Sequence, residues 1–451
     1  MSIQRVLIAN RGEIAVRIIR ACHEMGVEAV IVYSTADADS LGVKLADQAV
    51  CIGPPSPVES YLKANMILSA AVATKCDAVH PGFGFLSENA EFAAMCEAIG
   101  IKFIGPNSQI ISQLGQKAVA KQIMKSYGVP VIPGPEGTFI DPEVALVEAR
   151  KIGFPVIIKA ASGGGGRGIR VIEDPATFVN SFLEASTEAQ NAFNDPQMYV
   201  EKFFAHPKHI EFQMLADQHG NCVCLGERDC SAQRRKQKVV EETPSPALSN
   251  ALRRSISAKL CSALTQIGYW NAGTVEFLYE KGELFFMEMN TRIQVEHPVT
   301  EMVTSTDLIQ EQIRIASNEA LSFNQAQVQT QGCAIEVRLN AEDPAHNFRP
   351  SPGTLTTLHF PGGNGLRIDS AMFTGAKIPP YYDSMVAKII AHAPDRPQAI
   401  AKIIRALQEL QVEGIATNRE FLLQVLTSDD FIRGDYDINF VETKLLKAEA
   451  K

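Results

Sequence analysis

The chain lacks the two glycine signatures that most directly announce a nucleotide. Its first apolar strand, RVLIAN, runs into Asn10-Arg11-Gly12-Glu13, not G-x-G-x-x-G, and no G-x-x-x-x-G-K-[ST] loop opens a helix. A Rossmann-like layer here therefore does not imply a dinucleotide. Excess positive charge is also missing: 42 Lys and Arg face 51 Asp and Glu, a net charge of −9, which argues against a nucleic-acid partner. The nine Cys form no C-x-x-C pair, and Cys222-Val223-Cys224 is a single C-x-C, so a structural zinc site is not expected and reduced thiols in a cytoplasmic protein are. The start, MSIQRVLIANRGE, has too short an apolar stretch for a signal-peptide core, and no later run reads as a membrane span. No internal repeat or low-complexity tract is evident.

What is present is ordinary globular composition, 46% hydrophobic and 21% charged over 451 residues, enough for two to four structural units. The first hundred residues alternate strand and helix. GEIAVRIIRACHEMG places Ile14, Ile18, Cys22 and Met25 at near-helical spacing and stops at Gly26. EAVIVYS is a strand, YLKANMILSAAVATK a helix, DAVHPG a strand end, EFAAMCEAIG a helix and IKFIG a strand. This pattern predicts a parallel α/β sheet. The Pro- and Gly-rich GVPVIPGPEG marks a boundary, after which MYVEKFF, HIEFQMLAD, CVCLGERDC, TVEFLYE and ELFFMEMN predict a larger, mainly antiparallel sheet. A final α+β segment holds CAIEVRLNAED, VAKIIAHA and a helix from Arg396 to about Leu410.

The chemistry concentrates in FMEMNTRIQVEHPVTE. Glu288, Asn290, Arg292, Gln294 and Glu296 fall on alternate residues, so an extended segment would project all five from one face. Polar groups in such a row are paired or hold a ligand. Upstream, a hairpin turning at Lys281-Gly282 would set Glu276 opposite Glu288. Two carboxylates and an Asn oxygen are hard ligands suited to Mg²⁺ or Mn²⁺ beside phosphates. Lys159 ends an apolar strand, and the glycine-rich loop from Ser162 to Gly168 leads straight into another strand. Such a loop can fold down as a flap whose N–H groups approach phosphate oxygens, with Lys159 as a point charge. Glu201-Lys202 would form an adenine-binding hinge. The cationic run from Gln233 to Lys238 offers Lys238 for a small anionic substrate, with Arg292 and Arg338 as further cations.

The order Lys117, Lys159-Gly loop, Glu201-Lys202, Glu276, Glu288-Met-Asn290 resembles the ATP-grasp superfamily. ANRGEIAVRIIRA, HPGFGFLSENAEFA, GERDCSAQRRKQKVVEE, MEMNTRIQVEHPVTEM, EVRLNAEDP and PPYYDSMVAKII resemble the biotin carboxylase family from about residue 3 to 445. The resemblance implies a Rossmann-like domain over 1–115, an ATP-grasp domain over 116–330 with a mobile Gly-rich lid at about 131–203, and a mainly antiparallel α+β domain over 331–451. It implies ATP contacts from Lys117, Lys159, Gly165, Gly166, Glu201, Lys202, His209, Gln233, Lys236, Glu276 and Glu288. Two Mg²⁺ or Mn²⁺ ions would sit on Glu276, Glu288 and Asn290. Lys238, Arg292, Gln294 and the Val295 backbone would bind bicarbonate, and Glu296 would be its base. Arg338 would steady the biotin enolate, with Phe83 near the ring.

The implied activity is ATP-dependent carboxylation of biotin on a separate biotin carboxyl carrier protein, alongside carboxyltransferase subunits. The default setting is acetyl-CoA carboxylase in fatty-acid synthesis, with the chain a homodimer; pyruvate, another acyl-CoA or a urea-like acceptor are alternatives. One departure stands out: Lys236 occupies a position where the family commonly has His. Rival readings are an ATP-grasp ligase of the carbamoyl-phosphate or purine type, and a non-enzymatic regulatory paralogue.

Overall fold

Five short, apolar strands make the amino-terminal sheet of the computed structural model, which describes residues 2–161 and 168–446. They are β1 (Arg5–Ile8), β2 (Glu28–Ser34), β3 (Gln48–Gly53), β4 (Ala78–His80) and β5 (Lys102–Phe103), all parallel, in the order β3-β2-β1-β4-β5. Val6, Leu7 and Ile8 of the central strand are fully buried, as expected of a strand covered on both faces. The helix Gly12–Glu24 packs Ile14, Ile18 and Cys22 into this core, and Gly26, at φ +68°, supplies the left-handed residue that ends it. The expected helix at 61–75 occupies Ala64–Ala73 only. Tyr61 stays outside it because its buried phenol donates to Asp37 Oδ2 at 2.6 Å, and its ring stacks on Phe85.

Close packing divides the described chain into two units. The first comprises 1–129, 208–278 and 288–451, and the second 130–207 and 279–287. The second contains β6 (Val156–Ala160), β7 (Ile169–Ile172) and β8 (Met198–Lys202), antiparallel in the order β7-β6-β8. The helices Pro142–Ile152 and Phe178–Phe193 contribute Ala145, Ala149, Phe178, Phe182 and Ala189 to its core.

An eight-stranded sheet dominates the first unit. Its order is β13 (Glu283–Asn290), β12 (Asn271–Glu280), β9 (Lys208–Ala216), β10 (Cys222–Arg234), β11 (Gln237–Thr243), β14 (Cys333–Asn340), then Met385–Ala393 and Leu366–Asp369. The tip joining β12 to β13 falls in the second unit and turns at Lys281 and Gly282, both with positive φ, the geometry of a tight two-residue hairpin. The β11–β14 pair is antiparallel, with Val240 opposite Val337 and Glu241 opposite Glu336. The expected domain edge at 330/331 therefore falls between strands of one continuous sheet. Among the described residues no helix is long and apolar enough to cross a membrane, and all nine cysteines are free thiols.

Candidate active site

Charged residues on largely buried strands make the site. On β9, β10 and β11 the side chains of Glu211, Arg228 and Lys238 meet, the first two fully buried and Lys238 half-buried. Arg228 Nε donates to Glu211 Oε1 at 2.6 Å, and its Nη1 reaches Gln213 Oε1 at 2.8 Å and Thr300 Oγ1 at 2.9 Å. The other Glu211 oxygen accepts from Lys238 Nζ at 2.6 Å. Lys238 also pairs with Glu296 and lies 3.5 Å from Glu276 Oε1. Burial would drive its ammonium toward neutrality, but Glu211 and Glu296 outweigh burial and hold its pKa well above the usual lysine value.

Glu296 stands at the start of the helix His297–Thr304 and is fully buried. Its Oε2 accepts from Arg338 Nη2 at 2.9 Å, while Arg338 Nε holds Glu241 Oε1 at 2.6 Å. Burial alone would raise the Glu296 carboxyl; Lys238, Arg338 and Arg228 reverse this and keep it well below the usual range. A buried carboxylate that stays ionised between two cations is poised to accept a proton when a substrate displaces one of them.

Glu276 on β12 is the second centre. Its Oε1 accepts from Asn290 Nδ2 at 2.8 Å and Gln294 Nε2 at 2.9 Å, and its Oε2 lies 3.0 Å from His209 Nε2. Burial pushes this carboxyl up, but Lys238 and then His209 bring it well below its usual value. His209, Glu211 and Glu276 offer ligand atoms within 4.8 Å of one another, as do Glu211, Cys230 and Glu296. The structure sends the expected carboxylate pair to different partners: Glu288 Oε2 pairs with Lys117 Nζ at 2.5 Å, not with the Glu276 group. Glu276, Glu288 and Asn290 nonetheless present hard oxygen atoms held by displaceable amide, imidazole, guanidinium and ammonium groups, a ligand set that fits Mg²⁺ or Mn²⁺.

The five alternate residues do not form one extended row. The strand ends at Asn290 and the chain then bends, because the Thr291 N–H donates to Glu88 Oε1 at 3.2 Å and Arg292 Nε to Glu88 Oε2 at 2.8 Å. Arg292 then turns back, with Nη2 on Asn290 Oδ1 and Nη1 on Gln294 Oε1, each 3.0 Å. Asn290, Arg292 and Gln294 converge on one another through a loop instead of a pleat, and Lys238 links their partner Glu276 to Glu296, while Glu288 is held by Lys117.

The remaining expected residues are more dispersed. Gln233 is buried near the end of β10, and its amide faces the Cys230 carbonyl at 3.4 Å. Lys236 sits exposed at the β10–β11 turn with φ +65°, next to Arg235 at +48°. Phe83 is half-buried, and its carbonyl accepts from Asn10 Nδ2 at 2.7 Å. Within the second unit, Lys159 Nζ pairs with Glu201 Oε2 at 2.8 Å, and Lys202 Nζ donates to the Gly153 and Phe154 carbonyls at 2.9 and 3.2 Å. Gly165 and Gly166 lie outside the described residues.

Glu211, Arg228, Glu241 and Glu88 join the site although they are assigned no role in it from sequence. For the first three a weak signal exists: each is a charge on a strand, although Arg228 stands between Glu227 and Asp229 and Glu241 beside Glu242. Glu88 carries no such mark.

Three family models match in succession: "Biotin carboxylase, N-terminal domain" over 2–111, "Carbamoyl-phosphate synthase L chain, ATP binding domain" over 116–324, and "Biotin carboxylase C-terminal domain" over 336–443. The chain is 52% identical over 443 residues to Biotin carboxylase 1 of Bacillus subtilis, covering 98% of both. It is 46% identical to a pyruvate carboxylase subunit of Methanothermobacter thermautotrophicus, covering 97% of this chain and 89% of that one. Among solved structures, the biotin carboxylase domain dimer of Hydrogenobacter thermophilus 2-oxoglutarate carboxylase superposes with a TM-score of 0.91 at 45% identity, over 98% of each chain. That dimer is in complex with MgADP, ADP and bicarbonate.

Proposed function

The chain belongs to the biotin carboxylase family of ATP-dependent ligases, and from that premise we propose that it carboxylates biotin on a separate carrier protein as a subunit of acetyl-CoA carboxylase. The observation that carries the chemistry is Glu296, fully buried and ion-paired with both Lys238 and Arg338.

Bicarbonate is a poor electrophile and needs activation. Lys238, Arg292, the Gln294 amide and the Val295 N–H are proposed to bind it, which requires Lys238 to exchange part of its contact with Glu296. Glu296 then takes the bicarbonate proton, and the oxygen so freed attacks the γ-phosphate of ATP to give carboxyphosphate and ADP. Glu276, Glu288 and Asn290 would hold two divalent ions, which neutralise phosphate charge when bound. Lys117, His209, Gln233 and Lys236, and in the second unit Lys159, Gly165, Gly166, Glu201 and Lys202, are the proposed nucleotide contacts. Carboxyphosphate breaks down to CO₂ and phosphate. Phosphate accepts the ureido proton of biotin, and the biotin nitrogen attacks CO₂. Arg338 steadies the enolate oxygen formed in that step, and Phe83 lies against the biotin ring.

Carboxyphosphate formation predicts ADP release that depends on bicarbonate and rises with free biotin. ADP release indifferent to both would remove the reading. The acceptor is the finer question. Relatives named for pyruvate and 2-oxoglutarate carboxylases support a second reading, in which the partner carboxyltransferase delivers the carboxyl group to a 2-oxo acid. Capture of the biotinylated carrier together with its carboxyltransferase, followed by assay on acetyl-CoA and on 2-oxo acids, separates the two. A homodimer is the proposed assembly, as in the Hydrogenobacter thermophilus domain.

A further inference from the structure

The GEIAVRIIRA motif has no part in the chemistry above, yet its first turn pairs with a lysine that holds the substrate loop. Lys388 is fully buried in the strand Met385–Ala393, directly opposite Arg338 of β14. Its ammonium donates to the Val295 carbonyl at 2.8 Å. Behind it, Glu13 Oε1 lies 3.1 Å away on the helix Gly12–Glu24, and Asp369 Oδ2 lies 3.8 Å away on the neighbouring strand. A buried lysine in such a nest keeps its charge, since its carboxylate neighbours raise its pKa despite the cost of burial.

The preceding peptide is pinned as well. The Gln294 carbonyl accepts from His297 Nδ1 at 2.8 Å. An acceptor at Nδ1 places the ring proton there, and burial, with Lys388 and Arg367 nearby, keeps the imidazole neutral. Two consecutive carbonyls, of Gln294 and Val295, are thus each held by one side chain. Because a trans peptide sets N–H opposite C=O, holding the Gln294 carbonyl aims the Val295 N–H, and holding the Val295 carbonyl fixes where Glu296 departs from the loop.

We propose that Lys388, itself oriented by Glu13, is a positioning residue that sets the Val295–Glu296 peptide for bicarbonate. This rests on the bicarbonate-binding role given to that loop above. It assigns Glu13 of the amino-terminal motif a place in substrate geometry, through Lys388 and not by contact with substrate. Arginine can donate to the same carbonyl, whereas methionine fills the space without donating.

The test compares wild type with Lys388→Met, Lys388→Arg and Glu13→Gln. ADP formation is measured against bicarbonate concentration, with nucleotide Kd and the thermal midpoint in parallel. Loss of a hydrogen bond from a charged donor predicts about a tenfold rise in the bicarbonate KM for Lys388→Met. Nucleotide Kd stays unchanged, Lys388→Arg recovers much of the loss, and Glu13→Gln gives a smaller rise in the same direction. A purely structural role would lower the midpoint and the active fraction while leaving the bicarbonate KM alone. A wild-type bicarbonate KM in folded Lys388→Met overturns the proposal. Should that variant fail to fold, a wild-type KM in Glu13→Gln does so. Absence of bicarbonate-dependent ADP formation in the wild type is a different result: it removes the carboxylase reading, and this one with it.

Discussion

Arg338 Nη2 lies 2.9 Å from Glu296 Oε2, so the cation assigned to the biotin half of the reaction is ion-paired with the base assigned to the bicarbonate half. On those assignments the two halves share one ion pair.

That pair modifies a simple division of roles. Glu296→Gln should lose biotin carboxylation and bicarbonate-dependent ATP cleavage together, since it removes the base. Arg338→Gln should lose biotin carboxylation but retain more cleavage. The guanidinium is one of the charges that depress the Glu296 carboxyl. Without it the folded-state pKa rises, the base is protonated at higher pH, and the acid limb of ATP cleavage moves upward. A pH profile of ADP formation checks this. An unmoved acid limb in Arg338→Gln would mean that the pair does not tune the base.

Glu288→Gln should weaken metal-dependent ATP turnover by roughly tenfold or more, because a hard-cation site loses one negative ligand. Lys117 loses its carboxylate partner in the same variant. A Mg²⁺ titration of turnover distinguishes the effects: recovery at high Mg²⁺ points to the metal, and no recovery points to Lys117. Normal turnover at ordinary Mg²⁺ would exclude Glu288 as a ligand.

Arg228→Met should destabilise the fold by about 3–5 kcal/mol, since it strands the buried Glu211 carboxylate beside Glu296. Urea unfolding monitored by circular dichroism measures it. A loss below about 1 kcal/mol would show that Lys238 alone compensates Glu211.

Lys236→Gly should separate stability from function. At φ +65° the lysine occupies backbone space that glycine enters freely. The variant should gain about 1 kcal/mol of stability while raising the KM for ATP, if the ammonium serves the phosphates. A higher thermal midpoint with an unchanged ATP KM would confine Lys236 to the turn.

No biotin should become attached to this chain. A biotinyl lysine resembles Ala-Met-Lys-Met at a hairpin tip; the nearest string here, Ile123-Met124-Lys125-Ser126, lies on the helix Lys117–Ser126. Intact mass after co-expression with a biotin ligase should show no biotinyl increment.

Local pattern made much of this legible. The apolar runs of β1 and β2, the helix stop at Gly26 and the hairpin turn at Lys281-Gly282 follow from residue types within a few positions. The polar row itself was legible in the spacing, but its single extended face was not what the structure formed: three of its members meet through a bend, and Glu288 goes to Lys117. The bend after Asn290 is made by Glu88, 204 residues from Arg292, and no local spacing reports a partner that distant. Glu211 and Arg228 were visible as charges on strands, yet their pairing depends on β9 and β10 lying side by side. Lys388 read as one more residue of VAKIIAHA, because its significance comes from Glu13 and Val295, elements far away in sequence.

The hydrogen-bonded seam between β11 and β14 limits how the chain can be shortened. A fragment ending before Cys333 would keep every proposed metal and nucleotide residue but would lay bare the Val240–Thr243 flank of β11. That flank would offer unpaired backbone groups to any passing strand, a template for self-association. Engineering a minimal ATP-binding piece from this protein should therefore yield aggregate unless the exposed flank is capped, whatever the integrity of the residues that remain.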